Sequence, residues 1–300
     1  MFPTLPDLYT GLCLALLLGT YIGVFLYKTP FWLALGASGG CFGLAVWVER
    51  LALHKPALWT MLVAGGLFYA YHNLKLSEHT KRAVGVLAFV LAFLLMRHLI
   101  PGASNWLALS NIKLSETSAL YNLWVNIDKP LLGLLILLSL PSGLYSGRLS
   151  QKDLMTTMGI SAIAAGSLLW LSTYLGYIFW DPKFAFLFFI WLPINLFCTI
   201  VPEEIFFRGF TQPALISFFQ KSLPYPKLAP AFGIATAALL FGLLHYWGGL
   251  YYILISALAG VFYGLVVHLS GRLAAGILVH TIVNVTHFFL FSYPFAKGLT

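Results

Sequence analysis

Charge is scarce in this chain. Of its 300 residues only 9% are Asp, Glu, Lys or Arg, against about 25% in a typical soluble domain. Cysteine is scarce as well. The three present, Cys13, Cys41 and Cys198, lie far apart in apolar runs, with no CxxC pair and no disulfide framework. There is no HExxH, which excludes an ordinary zincin at the level of motif, and no Gly-x-Ser-x-Gly elbow for a serine hydrolase. No internal repeat or low-complexity linker divides the chain. What is abundant is apolar surface: 60% of residues are hydrophobic and the mean hydropathy is +0.88. A sphere of this size cannot hide so much from water. A soluble globule, a disordered chain and a nucleic-acid-binding arm are thereby ruled out, and the solvent is expected to be lipid.

The net charge of +8 does not alter this. Its basic residues are scattered in short loops between apolar runs, as headgroup anchors are, so no nucleic-acid partner is expected. Unpaired backbone groups are intolerable in hydrocarbon, so each apolar run should be helical. The expected fold is an all-α polytopic transmembrane helix bundle of about ten spans (range 8–10), over 8–27, 31–48, 57–73, 83–100, 131–147, 154–179, 184–210, 229–247, 251–269 and 273–292. Pro193 and Pro202 are expected to kink or break the run 184–210. The polar stretch 102–130 reads as an interfacial loop with a short amphipathic helix. It divides the chain into an N-terminal transmembrane extension, 1–130, and a core, 131–300. Sorting Lys and Arg by loop places nine on one side and six on the other, and the nine-charge side is expected to be cytoplasmic.

Seven of the nine acidic residues fall in loops or at span ends. The other two, Glu203 and Glu204, are adjacent in VPEEIFFRGF. A charge at membrane depth costs roughly 2.5–3.5 kcal/mol on insertion scales, and such residues usually face the bundle interior and mark function. Arg208 follows Glu204 by four residues, a spacing that pairs them on one helix face, while Glu203 points elsewhere. His245 intrudes in FGLLHYWGG, one turn after Phe241. His280 and Asn284 share a face in GILVHTIVNVTHF. Asn195 can line the cavity of Glu203, though packing polarity explains it equally. His287 reads as structural. Arg97 and His98, near a span end, read as snorkelling side chains.

Three helices thus supply carboxylates, imidazoles and an amide. A carboxylate can deprotonate water, a histidine can share that proton, and a second histidine with an asparagine can stabilise an oxyanion. The same donors, His245, His280 and Glu203, are also of the types that bind a divalent metal such as zinc, and the spacing alone does not choose.

EEIFFR (203–208), FGLLH (241–245) and HTIVN (280–284) match the motifs EExxxR, FxxxH and HxxxN. In this the chain resembles the CPBP family, also called ABI or type II CAAX prenyl endopeptidase-like intramembrane proteases, over about residues 184–292. The resemblance implies an intramembrane endopeptidase in which Glu203 and His245 activate water, His280 and Asn284 form the oxyanion site, and Glu204 and Arg208 order it. The family is described both as metal-dependent and as glutamate-dependent without a metal, and the glutamate mechanism without a cofactor is the one expected here. The resemblance also implies a membrane-associated protein or peptide as substrate and an integral, multi-pass location, expected to be the bacterial inner membrane. Two other readings compete: a proton- or ion-coupled transporter, and a catalytically silent assembly or immunity factor.

Overall fold

The structure, a computed structural model, describes residues 15, 16, 18–23, 55–102, 105–145 and 148–298. The expected span 31–48, most of 8–27, Cys13 and Cys41 lie outside the described residues. The main elements are α1 (Lys55–Asn73), α2 (Glu78–Met96), β1 (Trp106–Ile112), β2 (Tyr121–Val125), α3 (Asp128–Ser139), α4 (Gln151–Tyr174), α5 (Phe188–Ser222), α6 (Ala229–Leu243), α7 (Gly249–Ser270) and α8 (Leu273–Leu290). Six helices among the described residues, α2 and α4 to α8, are long and apolar enough to cross a membrane. The protein is therefore an integral membrane protein with a mostly helical bundle.

The expectation of ten spans is not met among the described residues. The run 57–73 is helical, as α1, but is not one of these six. The run 131–147 is a clear departure. It forms α3, a 12-residue helix, about 18 Å long at 1.5 Å per residue and too short for a hydrocarbon core of about 30 Å. Leu140 is extended before Pro141, and the helix stops there. Residues Leu131, Leu132, Leu134, Ile136 and Leu137 are all buried. The run is apolar because protein surrounds it on every side.

Segment 102–130 also differs from expectation. It holds an antiparallel hairpin, β1 against β2, in place of an amphipathic helix. Trp106, Ile112, Tyr121, Trp124 and Val125 are aromatic and β-branched side chains that suit a half-buried pleated surface. The buried side, Ala108, Leu109, Leu123 and Val125, packs with Trp191 and Cys198 of α5 and Phe288 of α8.

Helix α5 does not end at 210. It runs 35 residues to Ser222, which puts Glu203 and Glu204 near mid-helix. It neither breaks nor stays α-helical. Two π-helical stretches, Leu196–Ile200 and Ile205–Thr211, each stand just before a proline, Pro202 and Pro213. Proline has no N–H for the i−4 carbonyl and crowds it. Wider bonds carry the chain past: the Val201 N–H reaches the Leu196 carbonyl and the Gln212 N–H that of Phe207. Such bulges are frequent at functional sites.

One hydrophobic core spans the 130/131 boundary, joining Met61, Phe68 and Ala92 to Phe206, Tyr263 and Val279. Phe68 meets Phe210 edge-on at 4.6 Å and Phe89 stacks on Phe206 at 5.4 Å. Helices α6 and α7 pack closely through small residues. A Cβ on Gly260 would lie 2.9 Å from the Ala238 Cα, and one on Gly242 would lie 2.6 Å from the Ile253 carbonyl. Polar contacts gather the loops at two ends. Lys221 pairs with Glu78 at 2.6 Å and Arg272 donates to the Gly143 carbonyl at 2.7 Å. Thr117 donates to Asp181 at 2.6 Å, and the Lys183 ammonium donates to the Phe291 carbonyl.

Candidate active site

The two glutamates sit in the single α-helical turn Val201–Glu204 between the π stretches of α5. Both are buried, and so is Arg208. Glu204 Oε1 receives two partners. Arg208 Nη1 lies 3.1 Å away and His280 Nδ1 lies 2.9 Å away. The guanidinium also donates to the Gly260 carbonyl at 3.2 Å through Nη2. Its flat face lies over Phe241 at 4.6 Å and Tyr263 at 5.3 Å. A carboxylate has only acceptors, so His280 carries a proton on Nδ1 and presents Nε2 to the remaining space. Tyr263 stacks on the His280 ring at 4.4 Å and fixes its plane. Gly276 makes room for this arrangement: a Cβ there would lie 2.9 Å from Glu204 Oε2.

Glu203 points away from that cluster's hydrogen bonds. Its Oε2 is buried with no hydrogen-bond partner. Its Oε1 lies 3.9 Å from Lys129 Nζ, at the start of α3. His245 follows the C-terminal end of α6, where the helix gives way to a 3-10 turn. Its Nδ1 lies 2.9 Å from the Phe241 carbonyl, which can only accept. The proton is therefore on Nδ1, and Nε2 is the basic nitrogen. Glu203, His280 and Lys129 are all within electrostatic reach of this ring. The Phe241 ring joins the motifs, meeting His245 at 4.8 Å and His280 at 5.9 Å as well as Arg208. Asn284 donates from Nδ2 to Asn195 Oδ1 at 3.1 Å. The structure brings these two amides together, and gives Asn284 no bond to the carboxylates among the described residues.

The site thus unites Glu204, Arg208 and His280 directly, and sets Glu203 and His245 beside them without a direct bond. Lys129, Tyr252 and Tyr263 were not singled out by sequence reasoning. Tyr252 meets the His245 ring edge-on at 5.3 Å. Only the position of Lys129, closing the polar run NIDK before an apolar stretch, hinted at it. Arg97 and His98 do not simply snorkel. His98 Nδ1 is 2.7 Å from Asp128 Oδ2, and Arg97 lies over the Tyr246 ring at 4.6 Å. Both hold the N-terminal helices to the rim of the site. His287 bonds to the Ser292 carbonyl at 3.1 Å. No three His, Cys, Asp or Glu side chains among the described residues are arranged to hold a metal, so His245, His280 and Glu203 do not converge as a ligand set.

Buried carboxylates, imidazoles and a guanidinium thus meet inside a bundle of helices long and apolar enough to cross a membrane. Residues 184–286 match the family model described as type II CAAX prenyl endopeptidase Rce1-like. That stretch contains all three motifs, and over it the chain is similar to that family of membrane proteases. No curated protein and no solved structure matches the chain.

Proposed function

We propose that the protein is an intramembrane endopeptidase that cleaves a membrane-associated protein or peptide with a glutamate-activated water, acting in the bacterial inner membrane. The observation that carries this reading is the buried, unpartnered oxygen of Glu203, on the helix whose Glu204 bonds to His280 and within electrostatic reach of the His245 ring. A buried acceptor left open is costly, roughly 1–3 kcal/mol, unless something fills it. A water molecule does so. Glu203, helped by His245 Nε2, takes a proton from that water as its oxygen adds to the scissile carbonyl carbon. The new oxyanion accepts from the Asn284 amide beside His280, whose ring Glu204 holds through Nδ1. The C–N bond then breaks, the amine takes the proton from Glu203, and a carboxylic acid and an amine result.

Glu204 and Arg208 act as positioning residues. Their pairing fixes the His280 ring without touching substrate. Lys129, 3.9 Å from Glu203 Oε1, supplies the nearest cation to it. No step in this scheme is routed through a metal.

The test compares membrane peptidomes of cells expressing wild type, Glu203→Ala, Glu203→Gln and His280→Ala at matched abundance. A general base is worth about 10²–10⁴ in rate and an oxyanion donor about 10²–10³. The same cleavage product should therefore disappear in all three. Cleavage unchanged in Glu203→Ala would remove the base assignment. Ion uptake by wild-type vesicles, lost in the variants, would replace the protease reading with a transporter.

A further inference from the structure

A cavity lies away from the candidate catalytic residues, none of which lines it. It has a volume of about 500 Å³ and sits between the start of α2 and the far end of α5, within the rough 300–1,000 Å³ range of small-molecule pockets. Its walls are apolar, from Val86, Phe89, Phe210, Leu215, Phe218 and Leu240. Its polar lining is basic: Lys81, Arg82 and Lys221, with Glu78 as the carboxylate among them. Glu78 is taken by Lys221 at 2.6 Å. Lys81 lies over the Tyr71 ring at 4.9 Å and Arg82 over the Phe218 ring at 5.7 Å. Among the described residues no ion pair within 4 Å joins either of these two cations to a carboxylate; Glu78 reaches both only at longer range.

Lys81 and Arg82 stand near the start of α2 and Lys221 in the last turn of α5, and the Lys221–Glu78 pair places those helix ends at one end of the bundle. Val86 and Phe218 are exposed, so the apolar part reaches the lipid-facing surface. A basic mouth over an apolar slot at a membrane interface complements one kind of molecule: a phosphate head carrying an acyl chain. We propose that this cavity binds an anionic phospholipid, its phosphate against Lys81, Arg82 and Lys221 and an acyl chain along Val86, Phe89 and Leu215. Arg suits the phosphate through its paired donors, and Lys supplies point charge. The slot's back wall includes Phe210 and Thr211 of the second π stretch.

The proposal does not depend on the protease reading, and its test needs no substrate. The purified full chain in neutral detergent is titrated with dioleoyl phosphatidylglycerol, with phosphatidylcholine of the same chains, and with inorganic phosphate, and bound molecules are counted by native mass spectrometry. Wild type should bind one phosphatidylglycerol at least tenfold more tightly than phosphatidylcholine. The double variant Lys81→Gln/Arg82→Gln should lose at least fivefold of that preference, whereas Lys81→Arg/Arg82→Lys should keep it. Ala214→Phe, which fills the slot, should weaken binding of phosphatidylglycerol with the helical content unchanged. Equal affinity for the two lipids would overturn the proposal. So would a preference that survives Lys81→Gln/Arg82→Gln, or binding that Ala214→Phe leaves untouched. Inorganic phosphate bound as tightly as phosphatidylglycerol would assign the cations to a free anion and remove the lipid.

Discussion

Replacing Arg208 by methionine tests the centre of the site through stability alone. Arg208 and Glu204 are 1% and 0% exposed, so water cannot take over from a lost partner. Breaking a buried ion pair from one side costs about 3–5 kcal/mol, mostly the penalty of the stranded charge. The guanidinium also lies over Phe241 at 4.6 Å, a contact worth roughly 0.5–2 kcal/mol. Arg208→Met should therefore destabilise by about 3–5 kcal/mol. The double variant Glu204→Met/Arg208→Met removes both charges and refills the volume. It should retain only a smaller loss, about 1–3 kcal/mol, largely from the unpartnered His280 Nδ1–H. Equilibrium unfolding in mixed micelles, followed by tryptophan fluorescence, measures all four members of the cycle. A double variant that loses the sum of the two single effects would refute the reasoning, because it would mean that Glu204 and Arg208 do not interact.

Two further outcomes are expected. Gly276→Ala places a Cβ 2.9 Å from Glu204 Oε2 and 2.7 Å from Val267 Cγ2. It should cost about 1–3 kcal/mol by overpacking and reduce cleavage, read as a fall in kcat with little change in KM; unchanged activity would mean that Glu204 has slack to move. At the other end of the bundle, burial alone would raise the Asp181 carboxyl, but the hydroxyls of Ser115 and Thr117 and the Lys183 ammonium outweigh it and hold it below its ordinary value. Its stabilisation is thus present above the ordinary carboxyl value of 3.8 and is lost as pH falls through the lower folded value. The protection of amides 115–118, taken relative to the intrinsic exchange rate at each pH, should therefore fall on acidification below about pH 4. Asp181→Asn should already show the reduced protection at neutral pH, and protection unchanged by both would discard the tie.

Membrane solvent, helical class and the three motifs were legible in residue order because each depends on local composition or on a spacing within one helix. The pair Glu204 and Arg208 is the clearest case: the i, i+4 separation predicts a contact that is found at 3.1 Å. The helix count was less legible. An apolar run such as 131–147 looks the same whether lipid or protein surrounds it, and only the burial of α3 on all sides distinguishes them. The hairpin in 102–130 was missed because polar residues in that segment obscured its β-branched and aromatic content.

Lys129 was unreadable as part of the site, since 74 positions separate it from Glu203 and no periodicity links α3 to α5. What the sequence determined alone was the solvent, the class of fold and the chemical groups that had to be sheltered together. Which imidazole bonds to which carboxylate, and which cation lies nearest Glu203, were decided by packing. Such contacts join helices far apart in the chain, and their partners are chosen by the space that Gly276, Phe241 and the two π stretches leave between them.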